Sequence, residues 1–228
     1  MSKMLSLCVF TGCCFFHAAS LSAASLTARV IDQQGKPLAN AVLTLQGAPG
    51  KAPPVLKANM DQRDQDFVPR VLAVHSNTQV AFPNSDNIRH QVYSFSPAKR
   101  FELRLYGGTP SEPLLFDKAG LVVLGCNIHD WMLGYIYVTD DPWFAVSDAN
   151  GVVKFEQMAA GQYSATLWHP KAPELQVADG GKFDVPAAGL TRDFTLQVEA
   201  SADDKTNDKP APPAPGGFGD AFHKAAHP

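Results

Sequence analysis

Residues 125–132 carry the stretch GCNIHDWM, which lies between two apolar runs, LVVL at 121–124 and LGYIYV at 133–138. Short apolar runs rich in β-branched and aromatic residues are typical of β-strands. The stretch therefore predicts a short connection between two strands. In it, a thiol, an imidazole and a thioether follow one another as Cys126, His129 and Met132, with the spacing C-x2-H-x2-M.

A second histidine, His90, stands in the segment FPNSDNIRHQV at residues 82–92. Two histidines, one cysteine and a weak axial methionine are the ligand set of a blue-copper electron-transfer site. The thiolate is a soft donor, neutral imidazoles suit both oxidation states of copper, and a long thioether contact tunes the potential. Zinc is the alternative metal, with Asp130 as an adjacent donor, and a structural cysteine without metal is the other alternative.

Residues 1–24 have the pattern of a secretory signal peptide: Lys3 is the only charge, an apolar run follows, and small residues end the segment. The pattern predicts cleavage after Ala24, a periplasmic protein and no transmembrane span. A lipoprotein cleaved before Cys13 is the weaker alternative. Cleavage after Ala24 removes three of the four cysteines, so a framework of two disulfides is excluded and Cys126 remains as the single thiol.

The rest of the chain predicts an all-β protein. Short strand-like runs recur every 8–12 residues between Gly, Pro, Asn and Asp turns, and no convincing amphipathic helix interrupts them, a pattern typical of β-sandwiches. Near residues 28–31 and 41–45, two alternating stretches flank turn residues and predict a hairpin. With 19 Lys and Arg against 22 Asp and Glu, the net charge of -3 argues against a nucleic-acid partner.

Residues 50–141 resemble a plastocyanin/amicyanin-type cupredoxin. The resemblance is carried by the short C-x2-H-x2-M ligand loop, by F-x-N-x-D-x-x-x-H-x-V at 82–92, by FDKAG at 116–120 and by GYIYV at 134–138. The whole chain is similar to periplasmic proteins often called methylamine-utilisation or plastocyanin-like proteins. The resemblance implies a Greek-key cupredoxin sandwich with one type 1 copper. The ligands it implies are the imidazoles of His90 and His129, the thiolate of Cys126 and the axial thioether of Met132.

The sequence departs from the cupredoxin pattern at Gln91. Cupredoxins usually have Asn directly after the first histidine ligand, where its side chain ties the two ligand loops together, and this chain has Gln91 there. The substitution affects the tie between the loops and the tuning of the site more than the existence of the site.

The segments on either side of the cupredoxin-like part resemble a carboxypeptidase-regulatory-like, immunoglobulin-type domain. The pattern V-x-D-x-x-G-x-P-L-x-x-A runs from Val30 to Ala41, and D-x-x-G at 148–151 is followed by G-x-Y at 161–163. The resemblance implies a second small sandwich split by an insertion, which costs little loop-closure entropy; a row of strands followed by a separate C-terminal domain is the alternative. The predicted organisation is a signal peptide (1–24), first strands of the regulatory-like sandwich (25–48), inserted cupredoxin domain (49–141), remainder of the sandwich (142–198) and disordered tail (199–228).

The residues favour an electron carrier over an enzyme. The sequence contains no H-x-H pair for a type 2 or trinuclear centre, no second retained cysteine for a dinuclear site, and no Ser/His/Asp or phosphate-binding motif. A His₂CysMet set leaves no open position for a substrate. The predicted function is outer-sphere transfer of single electrons, with His129 as the exit and a cytochrome or dehydrogenase as partner of a monomer. The alternatives are a copper-handling protein and a binding module with a structural cupredoxin domain.

Trp131 stands between two of the candidate ligands. The sequence allows two interpretations, an apolar rim around His129 that docks a partner, or ordinary core packing.

Overall fold

The structure, a computed structural model, describes residues 23–47, 57–110 and 112–199. The predicted signal peptide up to residue 22 and the predicted tail from residue 200 lie outside the described residues. The regular elements of the described part are β-strands and one 3-10 turn at Pro173–Leu175, so the prediction of an all-β sandwich protein is confirmed. None of the described residues forms a helix of the length and hydropathy needed to cross a membrane.

The strands are short, and most are separated by tight turns. In chain order they are β1 (Ala24–Ile31), β2 (Val42–Gly47), β3 (Lys57–Asn59), β4 (Asp61–Arg63), β5 (Asp66–Val68), β6 (Val71–His75), β7 (Thr78–Ala81), β8 (His90–Ser94), β9 (Phe101–Tyr106), β10 (Leu114–Phe116), β11 (Gly120–Cys126), β12 (His129–Thr139), β13 (Trp143–Val146), β14 (Val152–Met158), β15 (Gly161–Trp168), β16 (Ala178–Val185) and β17 (Leu190–Thr195). Strand β1 thus begins at Ala24, the residue before the predicted cleavage point.

One pair of sheets, here called the first sandwich, is built from both ends of the described chain. Its sheets have the strand orders β14-β1-β17 and β13-β2-β15-β16. Strand β1 pairs antiparallel with β14 and parallel with β17, and its alternate residues Leu26, Ala28 and Val30 are completely buried. A single apolar core fills the space between the two sheets. The period-2 alternation of β1 is therefore the pattern of a strand with one face on a core.

Strands β1 and β2 do not form the predicted hairpin. They lie in different sheets, and the isolated bridge between Ile31 and Pro37 joins the end of β1 to the turn and not to β2. The Asp32 carboxylate accepts hydrogen bonds from the backbone N–H groups of Gln34 and Lys36, which makes the expected turn. The chain then crosses to the opposite sheet. Turn residues and alternation identified the strands correctly, but pairing depends on which sheet each apolar face covers.

The second sandwich consists of the intervening strands β3–β12. Its larger sheet has the order β6-β12-β11-β8-β9, the smaller one β10-β7-β3, and β4 and β5 form a separate hairpin. The core of the second sandwich contains Phe82, Phe101 and Phe116, whose ring centroids lie 5.4–6.3 Å apart. It also contains Cys126 and Met132.

The larger sheet of the second sandwich is covered on both faces. Along β11, Val122 and Leu124 belong to the core of the second sandwich, whereas Val123 packs with Trp168 and Val42 of the first sandwich. Successive residues of a strand point to opposite faces. Burial on both faces explains why the sequence before the Cys126 connection is continuously apolar rather than alternating.

Candidate metal centre

The connection between β11 and β12 places three of the candidate ligands. Cys126 is the last residue of β11 and His129 the first of β12, and these two residues pair directly. Gly125 pairs with Leu133, so residues 130–132 form a bulge in β12. A bulge re-aims side chains that regular alternation would place elsewhere. The predicted connection between two strands is therefore a two-residue turn, Asn127-Ile128, followed by this bulge.

His90 comes from the neighbouring strand. It begins β8, which pairs with β11 through Tyr93 and Gly125. The Nδ1 atoms of His90 and His129 each lie 3.8 Å from Cys126 Sγ and 3.2 Å from each other. Because metal–nitrogen and metal–sulfur bonds are about 2.0 and 2.3 Å long, these separations suit three donors to one ion.

Met132 has no exposed surface and packs in the same apolar core as Cys126. The bulge between Cys126 and Leu133 thus turns the thioether into the interior of the second sandwich instead of toward solvent. A thioether and a thiol buried in one core provide soft donors in a region from which water is excluded.

The two imidazoles differ in exposure. His90 and Cys126 are buried, whereas His129 keeps part of its surface exposed. Burial lowers the pKa of His129, the nearby His90 lowers it further, and Asp86 opposes the shift. The neutral form of His129 is therefore favoured at neutral pH, and neutral imidazole is the form that binds a metal.

Polar residues upstream of His90 support it, and sequence reasoning did not assign them a role. Asp86 Oδ2 lies 2.6 Å from His90 Nε2. Asn84 donates from Nδ2 to the carbonyls of Ile88 and Tyr106, and its Oδ1 accepts from the backbone N–H of Asp86. The signal was present in the sequence, since both residues belong to the N-x-D-x-x-x-H part of the segment at 82–92.

Gln91 donates from Nε2 to Glu102 on β9, 2.8 Å away. Its side chain is thus bonded within the β8–β9 pair. The loop that carries His90 is held through Asn84.

Trp131 lies against the exposed edge of the centre. It is partly buried, and its ring centroid is 5.2 Å from that of His129. Ile128, in the turn between the strands, is half exposed. Trp131 and Ile128 therefore form an apolar surface beside His129, and Trp131 also packs against the imidazole itself.

The donors fit copper. In the described part of the chain, the group of histidine, cysteine and carboxylate donors close enough to share an ion is His90, Cys126 and His129, and no carboxylate belongs to it. Imidazole and thiolate donors, with a thioether in the same core, suit copper in both common oxidation states. Asp130, the donor that zinc would need, is exposed and stands outside the group.

No family model and no curated protein matches the chain. Among solved structures, a copper-containing nitrite reductase from Thermus scotoductus SA-01 is 26% identical over 37% of this chain, with a TM-score of 0.35; the match spans 22% of the reductase. A purple cupredoxin from Nitrosopumilus maritimus is 19% identical over 36% of this chain and 99% of its own length, with a TM-score of 0.33. A reduced Cu(I) form of an amicyanin mutant is 19% identical over 42% of this chain and 99% of its own length, with a TM-score of 0.33.

Proposed function

We propose that this chain is a periplasmic type 1 copper protein that carries single electrons between redox partners and is not an enzyme. The observation that carries the proposal is the convergence of three donor atoms at the edge of a buried core: the Nδ1 atoms of His90 and His129 each lie 3.8 Å from Cys126 Sγ and 3.2 Å from each other. Met132, buried in the same core, is the proposed axial ligand.

Bound copper would supply a one-electron couple, Cu(II)/Cu(I), to the site. The chain holds the donors rigidly, because Cys126 and His129 pair at the ends of adjacent strands and His90 begins a third strand of the same sheet. A sheet packed on both faces resists movement of these donors. A site whose donors move little on reduction favours fast electron transfer.

His129 is the proposed exit for electrons. It is the only one of the four proposed ligands with exposed surface, and Trp131 and Ile128 flank it with apolar side chains. An apolar surface of this kind favours brief contact with a redox protein, for which a cytochrome or a dehydrogenase is proposed.

Titration with copper tests the proposal. One equivalent of Cu(II) added to the purified protein is expected to produce an intense visible thiolate-to-copper absorption band. The Cys126→Ser variant is expected to lose the band while its circular dichroism stays that of the wild type. Two histidine variants are matched. His129→Ala should lose or shift the band. His75→Ala replaces a partly buried histidine outside the group of His90, Cys126 and His129, and should keep the band unchanged. A wild-type protein without the band contradicts the proposal.

The rate of electron self-exchange separates a carrier from a copper-handling protein. Fast exchange between the Cu(I) and Cu(II) forms, measured by NMR line broadening of mixed samples, is expected for a carrier. A normal absorption band with slow exchange contradicts electron carriage and indicates copper handling.

A further inference from the structure

Two backbone N–H groups and one imidazole nitrogen converge on the carboxylate of Asp86. Its Oδ2 lies 2.6 Å from His90 Nε2 and 3.0 Å from the backbone nitrogen of Gln65, and its Oδ1 lies 2.6 Å from the backbone nitrogen of Asp64. An ionised carboxylate can only accept hydrogen bonds. With the Asp86 carboxylate as the acceptor of this contact, His90 carries its proton on Nε2.

A neutral imidazole protonated at Nε2 has its free lone pair on Nδ1. Nδ1 is the atom of His90 that lies beside Cys126 Sγ and His129 Nδ1. We propose that Asp86 is a positioning residue that fixes the tautomer and the ring orientation of His90, so that Nδ1 is presented to the metal. This inference rests on the proposed function and assigns the residue that prepares one of its ligands.

The surroundings of Asp86 hold it in place without a metal. The two backbone donors, Asp64 and Gln65, form the β4–β5 turn, and both have a left-handed φ, 53° and 62°. This conformation points both N–H groups at the carboxylate. The backbone N–H of Asp86 in turn donates to Asn84 Oδ1 at 3.0 Å. The carboxylate therefore links the tip of the β4–β5 hairpin to His90.

Asp148 provides a matched control. Its carboxylate accepts two backbone hydrogen bonds in a turn of the first sandwich, from Asn150 at 2.8 Å and from Val152 at 2.9 Å. Replacement of Asp148 removes the same kind of turn contacts as replacement of Asp86, but no histidine is involved. A difference between the two variants therefore reports on His90.

The first test uses the metal-free, full-length protein. Long-range ¹H–¹⁵N NMR correlation distinguishes the two neutral tautomers of a histidine. We expect His90 to be protonated at Nε2 in the wild type and in Asp148→Ala, and to become a mixture of tautomers in Asp86→Ala. Asp86→Asn keeps one acceptor oxygen, and its tautomer ratio should lie between the two. Protonation at Nδ1 in the wild type, or an unchanged tautomer in Asp86→Ala, overturns the inference.

The second test measures Cu(I) affinity by competition with a chromophoric chelator. Loss of an outer hydrogen-bond partner of a ligating histidine weakens metal binding about 10–100-fold. We expect the Cu(I) affinity to fall by that factor in Asp86→Ala, to fall less in Asp86→Asn, and to stay unchanged in Asp148→Ala. Equal affinities in all variants overturn the inference.

Failure of this inference can be distinguished from failure of the proposed function, because the tautomer of His90 is measured without metal. A wild type with the expected tautomer and no thiolate-to-copper band contradicts the proposed function and leaves the role of Asp86 in orienting His90 intact.

Discussion

Met132 and Met158 are both buried methionines, but they lie in different cores. Met132 packs with Cys126 in the second sandwich, and Met158 packs in the core of the first. We expect Met132→Leu to keep the thiolate-to-copper band and to raise the reduction potential, because loss of a donor destabilises Cu(II) more than Cu(I). Protein-film voltammetry should show a reduction potential more than about 59 mV above that of the wild type. A rise of this size is a tenfold change in the equilibrium constant for one-electron reduction.

Met158→Leu is the control for this prediction. This change removes a thioether of similar burial from a core that does not contain Cys126. The reduction potential of the variant should therefore equal that of the wild type. Equal potentials in both variants would show that Met132 does not bind copper.

His169 gives the protein a predicted acid sensitivity that is independent of the metal centre. Its ring accepts from the backbone N–H of Lys171 and donates to the Ala39 carbonyl. Burial lowers its pKa to about 4, the Ala39 bond opposes the shift, and the charges of Lys171 and Arg70 add to it. The unfolded chain therefore binds a proton below pH 6.5 that the folded chain does not bind until about pH 4.

The contribution of His169 is thus complete above pH 6.5 and is lost as the pH falls toward 4. A shift of this size corresponds to at most about 3 kcal/mol. Urea unfolding at pH 7 and pH 4.5 should show a larger loss of unfolding free energy in the wild type than in His169→Gln. Equal losses would refute the prediction.

At the residue scale, the sequence was most informative where several rare residue types coincide. Cys126, His129 and Met132 stand at a ligand spacing, and His90 lies in a segment of its own, so a metal centre could be inferred before the fold was known. The part played by Asp86 was not assigned, although Asp86 belongs to the same segment as His90, because aspartates are common in turns. What distinguishes Asp86 is the 2.6 Å approach of its carboxylate to His90, which depends on the folded loop.

At the scale of elements, Gly134 in β12 tests the packing of the β4–β5 hairpin on the larger sheet. A Cβ added at Gly134 would come within 2.8 Å of the Phe67 side chain, which is buried. Phe67 belongs to β5, so it would have to move and would carry the hairpin with it. We expect Gly134→Ala to cost about 1–3 kcal/mol of unfolding free energy.

Gly107→Ala is the control, because a Cβ there has its nearest neighbour, Arg89 Cγ, at 3.9 Å. Chemical denaturation of both variants checks the prediction. Equal unfolding free energies of Gly134→Ala and Gly107→Ala would contradict the close packing of the Phe67 side chain against β12.

Strands with strong alternation or long apolar runs were predictable, and short polar ones were not. β1, β11, β12 and β15 correspond to stretches with clear patterns in the sequence. Strand β4 is Asp-Gln-Arg, with only Gln62 fully buried, and no apolar pattern marks it. Strand pairing was not predictable either, because the residues of a turn do not specify which sheet receives the next strand. The connection from β1 to β2 is an example.

At the scale of the whole molecule, we propose that residues 25–48 and 142–198 form one regulatory-like sandwich interrupted by an inserted domain at 49–141. The pairing of β1 with β14 and β17, and of β2 with β13 and β15, supports this organisation. Such an arrangement fixes the inserted part at both of its ends.

Trp168 joins the two sandwiches. It is fully buried on β15, its rings lie 5.5 and 5.8 Å from those of Tyr135 and Tyr137 on β12, and its Nε1 donates to the Leu175 carbonyl. We expect Trp168→Ala to cost about 3–5 kcal/mol. Because the lost contacts lie between the sandwiches, we expect calorimetry to show one unfolding transition for the wild type and two for the variant.

Phe183→Ala is the control for Trp168. Phe183 packs inside the first sandwich, so its loss should lower the melting temperature without uncoupling the two parts. A Trp168→Ala variant that unfolds in one unshifted transition would show that this contact does not couple the sandwiches.

We propose that His90, Cys126, His129 and Met132 hold one copper ion whose surroundings change little between oxidation states. X-ray absorption at the copper edge, recorded on the same sample oxidised and then reduced, measures the ligands in each state. Two nitrogen ligands and one short sulfur ligand are expected in both states, with nearly unchanged distances. Loss of the sulfur ligand, or oxygen ligands appearing on oxidation, would contradict this arrangement.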